Sequence, residues 1–185
     1  MNKIIYLLAC FAMDTLMGSI FPQDYANIRL SFISNMGIVG IMFVSRGLDL
    51  KTTLLLALGF GLFIDLTHYS FFLLMAFSYT ITLFVVRNWS NQINESIPEI
   101  IIIGMLTIFI KNFIVFIVMR YLGISQITFL KWFSYREFLT LIGNVPLILL
   151  AYFGNTFVKM VEAEREYRRR RSEKTLWMKV SNPFE

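Results

Sequence analysis

The chain has one cysteine and one histidine among its 185 residues, and only 16% of its residues are charged. A single cysteine excludes a disulfide framework and a cysteine-based zinc site, and Cys10 lies within an apolar run where it serves as packing. A single histidine, His68, excludes a His-Glu-x-x-His zinc site, and no Gly-x-Ser-x-Gly elbow or phosphate-binding glycine loop is present. The shortage of charge excludes more than any missing motif does. With 57% apolar and 16% aromatic residues and a mean hydropathy of +0.65, a water-soluble domain would have too little polar surface to solvate. The solvent is therefore lipid.

What is present is a succession of membrane-length apolar runs. Six spans are predicted at 4–21, 28–45, 53–66, 69–86, 100–122 and 138–158, making residues 1–158 one all-α transmembrane bundle. The third is short for a hydrocarbon core of about 30 Å, so Lys51 is expected to snorkel and spans three and four to close as a tight hairpin around Leu66-Thr67-His68. The first run has a thin basic flank in Lys3 and is read as a retained span. Residues 159–185 form a basic tail, with Glu164 and Arg168, and Glu166 and Arg170, at the i,i+4 spacing of a charged helix continuing from the last span.

Basic residues set the expected orientation. Lys3, Arg46, Lys51, Arg87 and the tail, with Arg168, Arg169, Arg170 and Arg171 at its centre, fall on one side of a six-span arrangement, which places both termini in the cytoplasm. Arg29, Arg120, Lys131 and Arg136 fall on the other side, where Phe129, Trp132, Phe133 and Tyr135 mark an interfacial segment. The four consecutive arginines suit anionic lipid or a cytoplasmic partner. They hug a membrane exit among Glu162, Glu164, Glu166 and Glu173 and belong to no nucleic-acid recognition motif.

The polar residues inside the spans are few. Ala57 and Gly61 make a small-xxx-small pair, Gly37 and Gly40 notch span two, and Ser31, Ser34 and Asn35 fall on one face of span two at i, i+3 and i+4. Asn144 and Asn155 mark span six, which Pro146 should kink. Asp14 and Lys111 lie at similar depth, and an ion pair is the least costly way to hold both there; each could instead face a hydrated crevice or a partner's helix. Asp65 ends span three, where the helix dipole disfavours a carboxylate. It can accept from the first-turn amides of span four, with Gly59 and Gly61 letting the two helices close up.

The segment Ala57-Leu58-Gly59-Phe60-Gly61-Leu62-Phe63-Ile64-Asp65-Leu66, followed by a second apolar helix, resembles MreD, the rod shape-determining membrane protein family of bacteria. Size, span spacing and the basic C-terminal end agree with that family. Where many members carry a Leu-Gly step after the aspartate, this chain has Ser70-Phe71-Phe72-Leu73. The resemblance implies a six-helix fold like that of the S-components of energy-coupling-factor transporters. It also implies a non-catalytic subunit, without cofactor, of the wall-elongation machinery in the bacterial plasma membrane. MreC is the implied direct partner, with MreB, RodA and a class B penicillin-binding protein in the same assembly. The alternative is a vitamin-binding S-component, although Ala9 and Ala12 lie three apart and do not form that group's Ala-xxx-Ala patch. An intramembrane aspartyl protease would need Gly-x-Gly-Asp, and Leu62 stands where its aspartate should be.

Topology reporters fused after Glu185 and inserted near Gln126 check the orientation. The expected outcome is a cytoplasmic Glu185 and an external Gln126, and the reverse at either site would overturn it.

Overall fold

In a computed structural model the chain is described over residues 2–21, 31–67, 73–90, 92 and 96–181, with side chains through Arg171. The elements are α1 (Asn2–Ile20), α2 (Met36–Ser45), α3 (Leu50–Thr67), α4 (Leu74–Ser90), α5 (Ile97–Tyr121), the single turn α6 (Phe129–Trp132), a π-helical turn (Phe133–Glu137) and α7 (Phe138–Ser181). No strand occurs among the described residues.

Three of these helices, α1, α3 and α5, and the continuous stretch Phe129–Arg171 are long and apolar enough to cross a membrane. Their outward faces carry Ile4, Leu8, Leu16, Leu55, Phe63, Ile102, Ile117, Phe153 and Phe157, all exposed. Large side chains directed outward along every long helix are what a lipid solvent requires. The expectation of six full spans is met only in part, because α2 has 10 residues and α4 has 17. At about 1.5 Å per residue, α2 rises only about 15 Å, half of a hydrocarbon core.

Successive helices run antiparallel between two ends of the bundle. At one end, Lys3 of α1 pairs with Glu162 of α7 at 3.8 Å, and Arg87 of α4 donates to Thr53 Oγ1 of α3 at 2.9 Å and to the Leu48 carbonyl at 2.6 Å. Asp49 begins α3 there, accepting from the Thr52 amide at 3.3 Å and from its hydroxyl, and these bonds hold its exposed carboxyl below the usual carboxylate range. The other end holds the start of α2, the α3–α4 hairpin, the C-terminus of α5 and the π turn.

The core sits around α2, whose residues from Gly37 to Ser45 are all buried. Helix α2 is apolar all round because it has no lipid-facing side. Gly37 and Gly40 make room for α1. A Cβ on Gly37 would lie 2.7 Å from Phe11 Cδ1, and one on Gly40 would lie 3.0 Å from Cys10 Sγ.

Helix α3 packs through a narrow stripe. Its buried residues are Thr53, Ala57, Gly61 and Asp65, one every fourth position. A Cβ on Gly61 would overlap Ala76 Cα and lie 2.7 Å from Ala76 N. Gly59, grouped with Gly61 above, plays no such part: it is exposed, and a Cβ there would meet nothing within 4 Å. Two positions along a helix turn about 200°, so the residue two before a buried one points away from the neighbour.

The aromatic segment after α5 is helical and packs on α5. Trp132 is buried and stacks on Phe116 with ring centroids 4.7 Å apart, while Phe129 meets Phe113 edge to face at 6.1 Å. The last helix runs unbroken from Phe138 to Ser181 with Pro146 inside it, and Arg168 bonds Glu164 one turn back. His68, Arg29 and Ser70-Phe71-Phe72 lie outside the described residues.

Gly61→Ala should lower the melting temperature in detergent, by about 1–3 kcal/mol of stability, because the added methyl meets backbone that cannot rotate away. Gly59→Ala should leave the melting temperature unchanged or slightly higher. Equal effects at the two positions would overturn this assignment of the α3 face.

Candidate functional site

Residues 31–35 are not helical, and α2 begins only at Met36. Ser31, Ser34 and Asn35 therefore do not form the helical face expected from their spacing. Instead the segment lies against the π turn and α7, and alternate amides find alternate acceptors. The Ser31 amide donates to the Tyr135 carbonyl at 3.4 Å, that of Ile33 to Thr140 Oγ1 at 3.4 Å, and that of Asn35 to Asn144 Oδ1 at 2.9 Å. Asn144 Nδ2 returns a bond to the Ile33 carbonyl at 2.7 Å. Non-helical backbone at membrane depth is tolerated only with such partners.

The first turn of α2 leaves unpaired amides, and Asp14 of α1 supplies their acceptor. Its carboxylate takes the Met36 and Gly37 amides, each at 2.7 Å, together with the Ser34 hydroxyl. A helix N-terminus is a favourable place for an anion even in a low-dielectric setting.

The ion pair expected between Asp14 and Lys111 does not form, as Lys111 Nζ donates to Asn35 Oδ1 at 2.8 Å and no Asp14–Lys111 contact falls within salt-bridge distance. Three short donors already hold Asp14, and Asn35, immediately before α2, offers Lys111 a neutral oxygen. The two charges sit on either side of one helix start and interact through space.

The same device recurs in the second hairpin. Asp65, buried at the end of α3, accepts from the Met75 and Ala76 amides, both at 3.0 Å, within the first turn of α4. This is the geometry read for Asp65 from its place before the next helix. The bulk-free Gly61 one turn earlier brings the α4 backbone within reach.

A cavity opens beside the α2 start, lined by Ile33, Met75, Lys111, Asn112, Phe116 and Arg136, among others. Asn112 Nδ2 donates to Glu137 Oε2 at 3.0 Å, and Glu137, wholly buried, has no hydrogen-bond partner for Oε1 among the described residues. Asn112 and Glu137 escaped the sequence reading, and Arg136 was placed at the surface. The signal for all three is weak: Asn112 adjoins Lys111, and the Arg136-Glu137 pair directly precedes an apolar run. The arginines 168–171 are exposed and distant from this cluster.

Among the described residues no three of His, Cys, Asp or Glu come together, and Asp14 and Asp65 are each occupied in capping the start of the next helix. Comparison with family models, with curated proteins and with solved structures finds no match to this chain.

Double-mutant cycles in detergent separate the contacts of Lys111. The Lys111→Met and Asn35→Leu pair should couple by about 1 kcal/mol or more, and the Lys111→Met and Asp14→Asn pair by less. The opposite ranking would restore a direct Asp14–Lys111 pair.

Proposed function

We propose that this chain is a non-catalytic scaffold of the bacterial wall-elongation machinery. It would act as an MreD-type subunit that binds MreC in the plasma membrane, with MreB, RodA and a class B penicillin-binding protein in the same assembly. The observation that carries the reading is the use made of the family-like Gly/Asp string. Gly61 admits the α4 backbone and Asp65 ties it down, so the string builds a rigid hairpin rather than a reactive centre. The exposed apolar faces of α1, α3 and α5 offer ample surface for a single-span partner. In this reading α2 and α4 complete the six crossings, both termini are cytoplasmic, and the helical tail docks a cytoplasmic partner or anionic lipid.

The cavity beside Lys111 favours a second reading, a small-molecule-binding S-component of an energy-coupling-factor transporter. The two readings differ in what accompanies the protein out of the membrane.

Affinity purification from native membranes, with proteins and small molecules both identified, tests them. The expected outcome is recovery of a single-span wall-elongation protein. Truncation from Arg165 onward should reduce recovery of cytoplasmic partners more than it reduces membrane insertion. Recovery of an energy-coupling module or a tightly held vitamin would replace the scaffold with the transporter.

A further inference from the structure

The cavity has a composition that neither helix packing nor the scaffold reading explains. Among the described residues its lining includes two cationic side chains, Lys111 and Arg136, and no carboxylate. Both are more than nine-tenths buried, at 5% and 8% exposure. Lys111 makes one hydrogen bond among the described residues, to Asn35, whereas an ammonium carries three donors. Among the described residues the charges near Lys111 are the like charge of Arg136 and the opposite charges of Asp14 and Glu137. Asp14 is already held by the α2 amides, and Glu137 is held through Asn112 behind the cavity wall.

The way Arg136 reaches the cavity is a second, independent observation. The chain departs from the α-helix at Phe133–Glu137, where the Phe138 amide bonds back to the Phe133 carbonyl, five residues earlier. This wider turn accompanies the burial of two neighbouring charged residues, Arg136 and Glu137, at the head of a membrane helix. Single π turns inside helices commonly mark functional sites, and no proline or glycine at this one accounts for it.

The rest of the wall is apolar and aromatic: Met75, Val115, Phe116, Met119 and Trp132 line it, and Ile124 and Ser125 form a rim on the loop following α5. Ile124 is 42% exposed, so the cavity opens at this end of the bundle, at the level where α5 ends. Cations at the back, an aromatic wall and a mouth at a membrane-helix terminus match a molecule with an anionic head and an apolar body.

We propose that this cavity binds the singly charged oxyanion head group of a membrane amphiphile. Lys111 and Arg136 would meet the oxyanion, and Trp132, Phe116 and Met119 would cover the first carbons of the chain. The oxyanion would sit against the two cations, and the rest of the chain would lie in the bilayer. The site is independent of whether the protein is a scaffold or a transporter subunit.

The test uses the full chain in a nonionic detergent, with thermal unfolding as the readout. Three probes are titrated: dihexanoylphosphatidylglycerol, dihexanoylphosphatidylcholine and inorganic phosphate. The expected result is saturable stabilisation by phosphatidylglycerol alone, with half-saturation weakened about tenfold or more in Lys111→Gln. Because loss of Lys111 could loosen the bundle, Ile124→Trp serves as a second variant; it fills the mouth from an exposed position and should weaken binding similarly. A variant with Arg168, Arg169, Arg170 and Arg171 all changed to Gln controls for lipid held by the tail and should retain the stabilisation. Equal stabilisation by phosphatidylcholine, or loss of the effect only in the tail variant, would overturn the proposal. Equal stabilisation by inorganic phosphate that is lost in Lys111→Gln would keep the oxyanion site and overturn the amphiphile as its occupant.

Discussion

The rest of the bundle depends on how helix N-termini are satisfied within it. A helix start leaves amides without intrahelical partners, and in hydrocarbon water cannot replace those partners. This protein meets the constraint with carboxylates borrowed from the preceding helix. Asp14 reaches from α1 to the start of α2, and Asp65 reaches from α3 to the start of α4. Each bond also fixes one antiparallel pair, so a single interaction caps a helix start, stabilises a buried carboxylate and sets a hairpin. The glycines on these pairs follow from the same requirement, since an aspartate side chain is short and the backbones must approach closely to be bridged.

Once Asp14 is committed to the α2 amides, the remaining polar groups at that end arrange themselves around it. The Asn35 backbone amide donates to Asn144 and its side-chain oxygen accepts from Lys111, and Asn144 in turn donates to the Ile33 carbonyl of the same segment. The segment is thereby tied to α7 without a neighbouring strand. Lys111 is left beside the cavity rather than across from a carboxylate, and this position gives the cavity its cationic character. The π turn adds Arg136 to the same wall. A structural solution at α2 thus generates a candidate binding site a few ångströms away.

Much of the architecture was legible in the chain alone. Helices long and apolar enough to cross a membrane, the α3–α4 hairpin and its Asp65 lock, and the helical continuation into the tail follow from hydropathy, small-residue spacing and helix-end chemistry. These properties are local or depend on adjacent segments, and hydropathy counts them without knowing which helices meet. The orientation expected from the basic residues rests on the same kind of reading.

Other features were decided by the tertiary structure. An apolar run from Ile28 to Ser45 reads as a span, yet residues 31–35 within it are not helical, because α7 supplies Thr140 and Asn144 as acceptors from more than 100 residues away. Equal depth suggested that Asp14 and Lys111 would pair, but depth says nothing of angular position around the helices, and nearer donors claimed the carboxylate. Gly59 and Gly61 look equivalent in the sequence, and helical phase alone puts one against Ala76 and the other outside. Composition determined that the few buried polar groups must find partners. Which partners they found was settled only when distant helices packed, because hydrogen bonds reach about 3 Å and sequence spacing does not measure distance across a bundle.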